Sequence, residues 1–168
     1  MSNIARRIDW TAYALFLAWV ASQRSESFAG TAAVKVGAAA LDRNNRVIGL
    51  AYNGLPPGKS LRPPSDGESF IIHAVTNLCT MIPIKAGAGI VAVTTTPCAS
   101  CAAELIAHGV ETVVYDPMFG ETDKKGIEFL EFYGVRVTPY RVTDLLKTWV
   151  VPAIDESRGT AFALYGKE

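Results

Sequence analysis

Net charge, a paired set of cysteines and low-complexity sequence are all missing from this chain of 168 residues. Lysine plus arginine and aspartate plus glutamate stand at 16 each, so the formal net charge is zero. A protein that tracks a nucleic-acid backbone needs a basic excess to displace counterions. That partner class is disfavoured, while a small anionic ligand stays compatible. The three cysteines are an odd number, two of them in a metal-type spacing, and they read as reduced thiols of a cytosolic compartment. Cys79 reads as a buried helix residue. Only 19% of residues are charged against 49% hydrophobic, which excludes a disordered chain. The length fits one domain with its own core, so a metal would serve chemistry rather than act as a staple. We expect a single domain over residues 1–168, with a tail from about 152 that packs on the domain or on a partner subunit.

One apolar run, "AYALFLAWVA", follows Arg6 and Arg7 and has the outline of a short signal-peptide core. It is too short to span a bilayer. Asp9 interrupts its flank in the position of an N-cap, which argues for an amphipathic helix over residues 10–24 whose aromatics pack on a sheet.

Further along, "VKVGAAAL" and "RVIGLAYN" are strand-like runs separated by "DRNN", which carries hairpin turn chemistry. The first two strands are therefore expected to be antiparallel. "GLPPGKSLRPPSDGES" is too rich in proline and glycine to be anything but a loop, and it is long enough to be functional. A helix over residues 70–82, a buried strand "GIVAVTT" and a helix over 97–108 stopped by Gly109 come next. The strand "ETVVYD", a helix over 124–133 ending at Gly134, the strand "VRVTPY" and a last helix over 143–150 complete the chain. A hairpin followed by alternating helices and strands predicts an α/β three-layer sandwich with helices on both faces of a mixed sheet.

Chemistry enters with "IIHAVTNLC" and "TTTPCASC". Cys98 and Cys101, at i and i+3 in the first turn of a helix, project from one face, and a helix N-terminus favours their thiolate forms. His73 also stands near a helix start. If the two helices flank neighbouring strands, imidazole and two thiolates meet, and three protein ligands leave zinc one open position, the catalytic rather than the structural arrangement. Taken singly, a histidine in an apolar helix is usually a core residue and a lone Cys-x-x-Cys is ambiguous. Spacing, strand context and the proline before Cys98 agree here. The zinc deaminase pattern is H-x-E followed by P-C-x-x-C, its Glu acting as general acid/base. This chain carries all of it except the Glu, where Val75 stands.

On "VGAAALDRNNRVIGLAYNGLPPG", "HAVTN" and "TTTPCASCAAELIAHGVETVVYD", the chain resembles the deoxycytidylate (dCMP) deaminase family of the cytidine deaminase-like fold, over roughly residues 9–140. The "YNGLPPG" loop and the run around the cysteines are more similar to dCMP deaminases than to tRNA adenosine deaminases or cytidine deaminases acting on free nucleosides. The resemblance implies a five-stranded sheet, zinc on His73, Cys98 and Cys101, and a pyrimidine against the metal with the Ala74 backbone N–H near its carbonyl. It further implies a sugar contact from Asn53, although Asn53-Gly54 also reads as a simple turn. Asn77 and Tyr115 fall at positions that line the nucleotide pocket. Lys35 is a candidate phosphate partner, against the plainer reading of a solvated strand-end lysine. The implied partner is a pyrimidine deoxynucleotide rather than a nucleic acid or a membrane, and the expected assembly is a homo-oligomer.

Two departures bear on activity. Lys59, Ser60 and Leu61 stand where feedback-regulated members carry a cysteine and acidic pair, which argues against dCTP and dTTP regulation through that loop. Val75 can neither activate water nor protonate the ring nitrogen or the leaving amine, and neither Glu68, before the helix, nor Glu104, a turn or more beyond the cysteines and pointing away from the open zinc position, is expected to stand in for it. Two function classes follow: a zinc-dependent dCMP deaminase by family, disabled at position 75, or a non-catalytic zinc-containing nucleotide-binding relative. A structural zinc module is a weaker third.

Overall fold

Asp42 builds the first turn. Its Oδ1 accepts the backbone N–H groups of Asn44 (2.8 Å) and Arg46 (2.9 Å), and Asn45 takes the left-handed region at φ 60°, which asparagine tolerates. In the computed structural model, which describes residues 7–25, 34–56, 58, 71–83, 87–117, 124–152 and 154, this turn joins β1 (Gly37–Asp42) to β2 (Val47–Tyr52) in antiparallel pairing. On its other edge β1 pairs antiparallel with β3 (Ala88–Val93). β4 (Thr112–Tyr115) and β5 (Arg136–Pro139) then continue parallel to β3, giving the order β2-β1-β3-β4-β5. This is the five-stranded mixed sheet expected from the sequence.

Strand residues alternate between two faces, and each face carries its own apolar cluster. Ala38, Ala40, Val91, Val93 and Val113 pack with α2 (Ala74–Met81), α3 (Ala99–Ala107) and α4 (Lys125–Phe132). Ala39, Leu41, Ala92 and Val114 pack with α1 (Trp10–Ser22) and α5 (Val142–Leu145). The result is three layers. α1 begins where Asp9 caps it, Oδ1 accepting the Ala12 N–H at 2.8 Å. Its buried residues Ala12, Ala14, Leu15, Ala18 and Ser22 are mostly small, which allows close approach to the sheet, and the helix is apolar nearly all round rather than amphipathic as expected. A Cβ on Gly37 would come within 1.9 Å of the Ala18 carbonyl oxygen, so β1 has to start on glycine.

Three further expectations are corrected. α2 starts at Ala74 instead of residue 70, because Ile72 forms an isolated antiparallel bridge with Gly54 and His73 is extended at ψ 149°. The last helix is a single turn, α5, that widens into a π-helical stretch over Leu146–Val150. Cys79 is half-buried rather than buried. The expected loop over 54–69 is described only at 54–56 and 58, and the expected tail only as far as 154. Lys59, Ser60, Leu61 and Glu68 lie outside the described residues. No helix among the described residues is long and apolar enough to cross a membrane.

Candidate metal centre

The two helices on either side of the site each begin with a donor. His73 (φ −67°, ψ 149°) is the N-cap of α2 and makes no side-chain capping bond, while Cys98 (φ −73°, ψ 169°) is the N-cap of α3 and its Sγ lies 3.1 Å from the Ser100 hydroxyl in the first turn. An N-cap side chain ordinarily satisfies one of the four orphan N–H groups of its helix. Here the His73 imidazole makes no such bond and stays available to a ligand. Cys101 follows in the first turn of α3.

His73 Nδ1 lies 3.3 Å from Cys101 Sγ and 3.5 Å from Cys98 Sγ, and the three donor atoms all fall within 4.8 Å of one another. Tetrahedral zinc with its usual Zn–S and Zn–N bond lengths sets a nitrogen and a sulfur donor about 3.6 Å apart. The observed spacings agree with that figure, and one imidazole with two thiolates is a donor set that zinc favours. These residues fit zinc. The three expected ligands are thus brought together, with exposure falling from His73 at the rim through half-buried Cys98 to buried Cys101.

The two thiols differ in acidity. Burial pushes the Cys98 thiol up, but hydrogen bonds involving Ser100, the Cys101 backbone N–H, the Cys101 thiol and His73 outweigh it and lower it to about 7. The Ser100 hydroxyl lies 3.1 Å from Cys98 Sγ. Burial, joined by Cys98 and the charge of Glu104, drives the Cys101 thiol far above its ordinary value. Cys98 is accordingly the thiol that ionises at neutral pH before any metal arrives.

A cavity of about 330 Å³ opens beside the donors, its wall including Asn53, Ala74, Val75, Thr95 and Thr96. Val75 is only 2% exposed, and no carboxylate lines the cavity among the described residues. Ala74 is the first residue of α2, so its N–H has no acceptor within the helix. The Asn53 amide is largely occupied: Oδ1 accepts from the Ser25 hydroxyl (2.6 Å) and the Val36 N–H (2.8 Å), and Nδ2 donates to the Val34 carbonyl (2.9 Å). Among the described residues its second N–H has no partner. Asn77, Tyr115 and Lys35 stand outside the lining. Asn77 Nδ2 donates instead to the Tyr52 carbonyl at 2.9 Å, Tyr115 is buried in β4, and Lys35 is exposed. Glu104 is also outside the lining, its Oε1 accepting the Thr76 hydroxyl at 3.1 Å.

Sequence reasoning passed over Ser100, Ser25, Thr95 and Thr96. Ser100 had a usable signal, since a hydroxyl between two cysteines in the first helical turn is within reach of a thiolate. Ser25 had none, because its partner Asn53 is 28 residues away. Gly126 was missed as well. A Cβ there would come within 1.9 Å of the Pro97 carbonyl oxygen, so α4 rests directly on the backbone that carries Cys98.

A mixed five-stranded sheet with an imidazole and two thiols at adjacent helix starts defines an α/β protein with a zinc-type donor set. Residues 9–116 match the cytidine and deoxycytidylate deaminase zinc-binding region, and the chain belongs to that family. Among solved structures it is similar to the dCMP deaminase of the cyanophage S-TIM5 in apo form, at 25% identity and a TM-score of 0.63, covering 80% of this chain and 100% of that one. The complex of the cyanophage enzyme with dCMP and dUMP aligns at 23% identity and a TM-score of 0.57, over 78% of this chain and 93% of that one. RibD of Acinetobacter baumannii, form 1, shares the fold at 22% identity and a TM-score of 0.59, over 81% of this chain but 36% of that one. A sequence search of the curated proteins gives no match.

Proposed function

We propose that this chain holds zinc on His73, Cys98 and Cys101, binds a pyrimidine deoxynucleotide such as dCMP in the adjoining cavity, and deaminates it only extremely slowly. Val75 carries the reading. It is buried in the cavity wall two residues after His73, and in our assignment it occupies the place of the glutamate in the H-x-E pattern. Zinc, when bound, supplies Lewis acidity that brings the pKa of water near neutrality. Deamination also needs a side chain that passes a proton to the ring nitrogen and another to the departing amine. Valine has none to pass. One positioned acid–base group contributes about 10²–10⁴ in rate, and here a single group would serve several transfers.

Ligand recognition rests on the chain's own polar groups. The Ala74 N–H is assigned to a pyrimidine carbonyl and the remaining Asn53 N–H to the sugar. Asn77, held by the Tyr52 carbonyl, buried Tyr115 and Lys35, which lies outside the cavity lining, are given no ligand contact in this proposal. A single domain, assembled as a homo-oligomer, belongs to the same proposal. The absence of a carboxylate from the described lining also favours a second reading, a relative that binds nucleotides without turning them over.

Loss of dCMP ultraviolet absorbance, with product identification, tests the assignment on zinc-matched protein. We expect the unaltered chain to run at least about 10²–10⁴ more slowly than Val75→Glu. Equal turnover by the two overturns the assignment, and a folded, zinc-loaded Val75→Glu protein that is inert on every cytosine nucleotide favours the second reading. Calorimetric titration should rank dCMP and dUMP above deoxycytidine and tRNA. Equal or tighter tRNA binding counts against a nucleotide pocket.

A further inference from the structure

Glu104 is a half-buried acid that the proposed chemistry does not use. It lies on α3 one turn beyond Cys101, and its partner Thr76 lies on α2 one turn beyond His73. On a helix, residues three apart share a face. The Thr76 hydroxyl, donating to Glu104 Oε1 at 3.1 Å, therefore joins α3 on the face that carries the inner thiol to the first turn of α2, three residues after its N-cap His73. Glu104 Oε2 is buried and has no hydrogen-bond partner among the described residues. The carboxylate thus faces the helix seam rather than water. At the far end of that seam His108 Nε2 lies 3.1 Å from the Cys79 carbonyl oxygen, so α2 and α3 are tied at two levels.

We propose that Thr76 and Glu104 are positioning residues for the metal centre: their hydrogen bond fixes the spacing and register of α2 against α3, and with them the distance between His73 Nδ1 and Cys101 Sγ. The physical reason is leverage. The donors sit on different helices, so nothing covalent sets their spacing, and a slide of one helix along the other by a fraction of a turn would move the imidazole out of reach. Apolar packing alone resists such a slide weakly because it is not directional. A hydrogen bond one turn away is directional and has a narrow range of lengths. Partners beyond the ligands that orient them are worth about 10–100-fold in metal affinity.

The inference rests on zinc binding at His73, Cys98 and Cys101, and its test separates the two ideas. Zinc affinity is measured by competition with a chromophoric chelator for the unaltered protein, Thr76→Val, Glu104→Leu, Glu104→Gln and the double variant. Cobalt(II) absorption spectra of the same proteins report donor geometry. Thr76→Val and Glu104→Leu should each weaken zinc by about 10–100-fold and distort the tetrahedral cobalt spectrum. The double variant should lose little more than either, because both remove one bond. Glu104→Gln, whose amide oxygen accepts the same hydroxyl, should recover most of the affinity. That rescue separates positioning from a general loss of stability. If Glu104→Leu fails to fold, Thr76→Val decides alone, since it removes only the hydroxyl. Unaltered protein that binds zinc, with variants equal to it in affinity and spectrum, overturns the positioning role. Unaltered protein that takes up no zinc removes the metal reading, and the positioning role with it.

Discussion

Three cysteines in one small protein have three different surroundings, and their reactivity should follow. In zinc-stripped protein Cys98 is lowered to about 7, while burial and the charge of Glu104 raise the half-buried Cys79 to about 11. Only the thiolate is nucleophilic. Alkylation at pH 7.5, followed by peptide mass spectrometry, should label Cys98 first, with a rate that rises through a midpoint near 7. Cys79 should stay slow until the pH approaches 11, and labelling of Cys79 as fast as Cys98 would contradict these environments. At this scale the cluster of His73, Cys98 and Cys101 was legible because residue type, spacing and helix starts all pointed the same way. The outer pocket was less so. Val34 and Val36 line the cavity, so in extended chain Lys35 between them faces elsewhere, a direction set by register that its identity does not encode. Asn53 was readable as a polar residue of the cavity wall, but not as an amide already held by Ser25 and two backbone groups.

Among the elements that carry no donor, α4 rests directly on the backbone of the site. Gly126 lets it touch the Pro97 carbonyl, and in Gly126→Ala the new methyl would sit 1.9 Å from that oxygen, against backbone that cannot rotate away. Either α4 or the Cys98 segment has to shift. We expect Gly126→Ala to lose about 1–3 kcal/mol by urea unfolding, the usual range for overpacking. Zinc affinity should fall as well, because the displaced backbone carries a ligand. Unchanged stability and zinc binding would show that the contact relaxes freely. The hairpin and helix–strand alternation were legible since turns and stops announce themselves: "DRNN" placed the first turn, and Gly109 and Gly134, at φ 68° and 78°, ended two helices. The start of α2 was not. "FIIH" looks equally apolar as helix or bridge, and the pairing of Ile72 with Gly54 is a tertiary choice. The π-helical turn at Leu146–Val150 likewise has no signature in apolar periodicity.

For the whole molecule, the metal should be dispensable to folding. Fully buried leucines stand on both faces of the sheet, Leu78, Leu105 and Leu130 on one and Leu15, Leu41 and Leu145 on the other. Each contributes about 1.5–3 kcal/mol by burial, and none depends on a ligand bond. Chelator-treated protein should keep its far-ultraviolet circular dichroism. Free zinc at a thousandfold over its Kd adds about 4 kcal/mol, hence roughly 8–16 °C in Tm for a chain of this size. Unfolding on chelation would mean that the metal is structural.

A scaffold that stands without its ion has a consequence for electrons. When zinc leaves, Cys98 and Cys101 remain as neighbouring thiols with their sulfurs within 4.8 Å. Two such thiols can pass two electrons and two protons to hydrogen peroxide, yielding water and a disulfide. That bond leaves no thiolate to hold a metal, so zinc can return only after a reductant gives the electrons back. Occupancy of the centre is then governed by the surrounding redox potential as well as by the supply of metal.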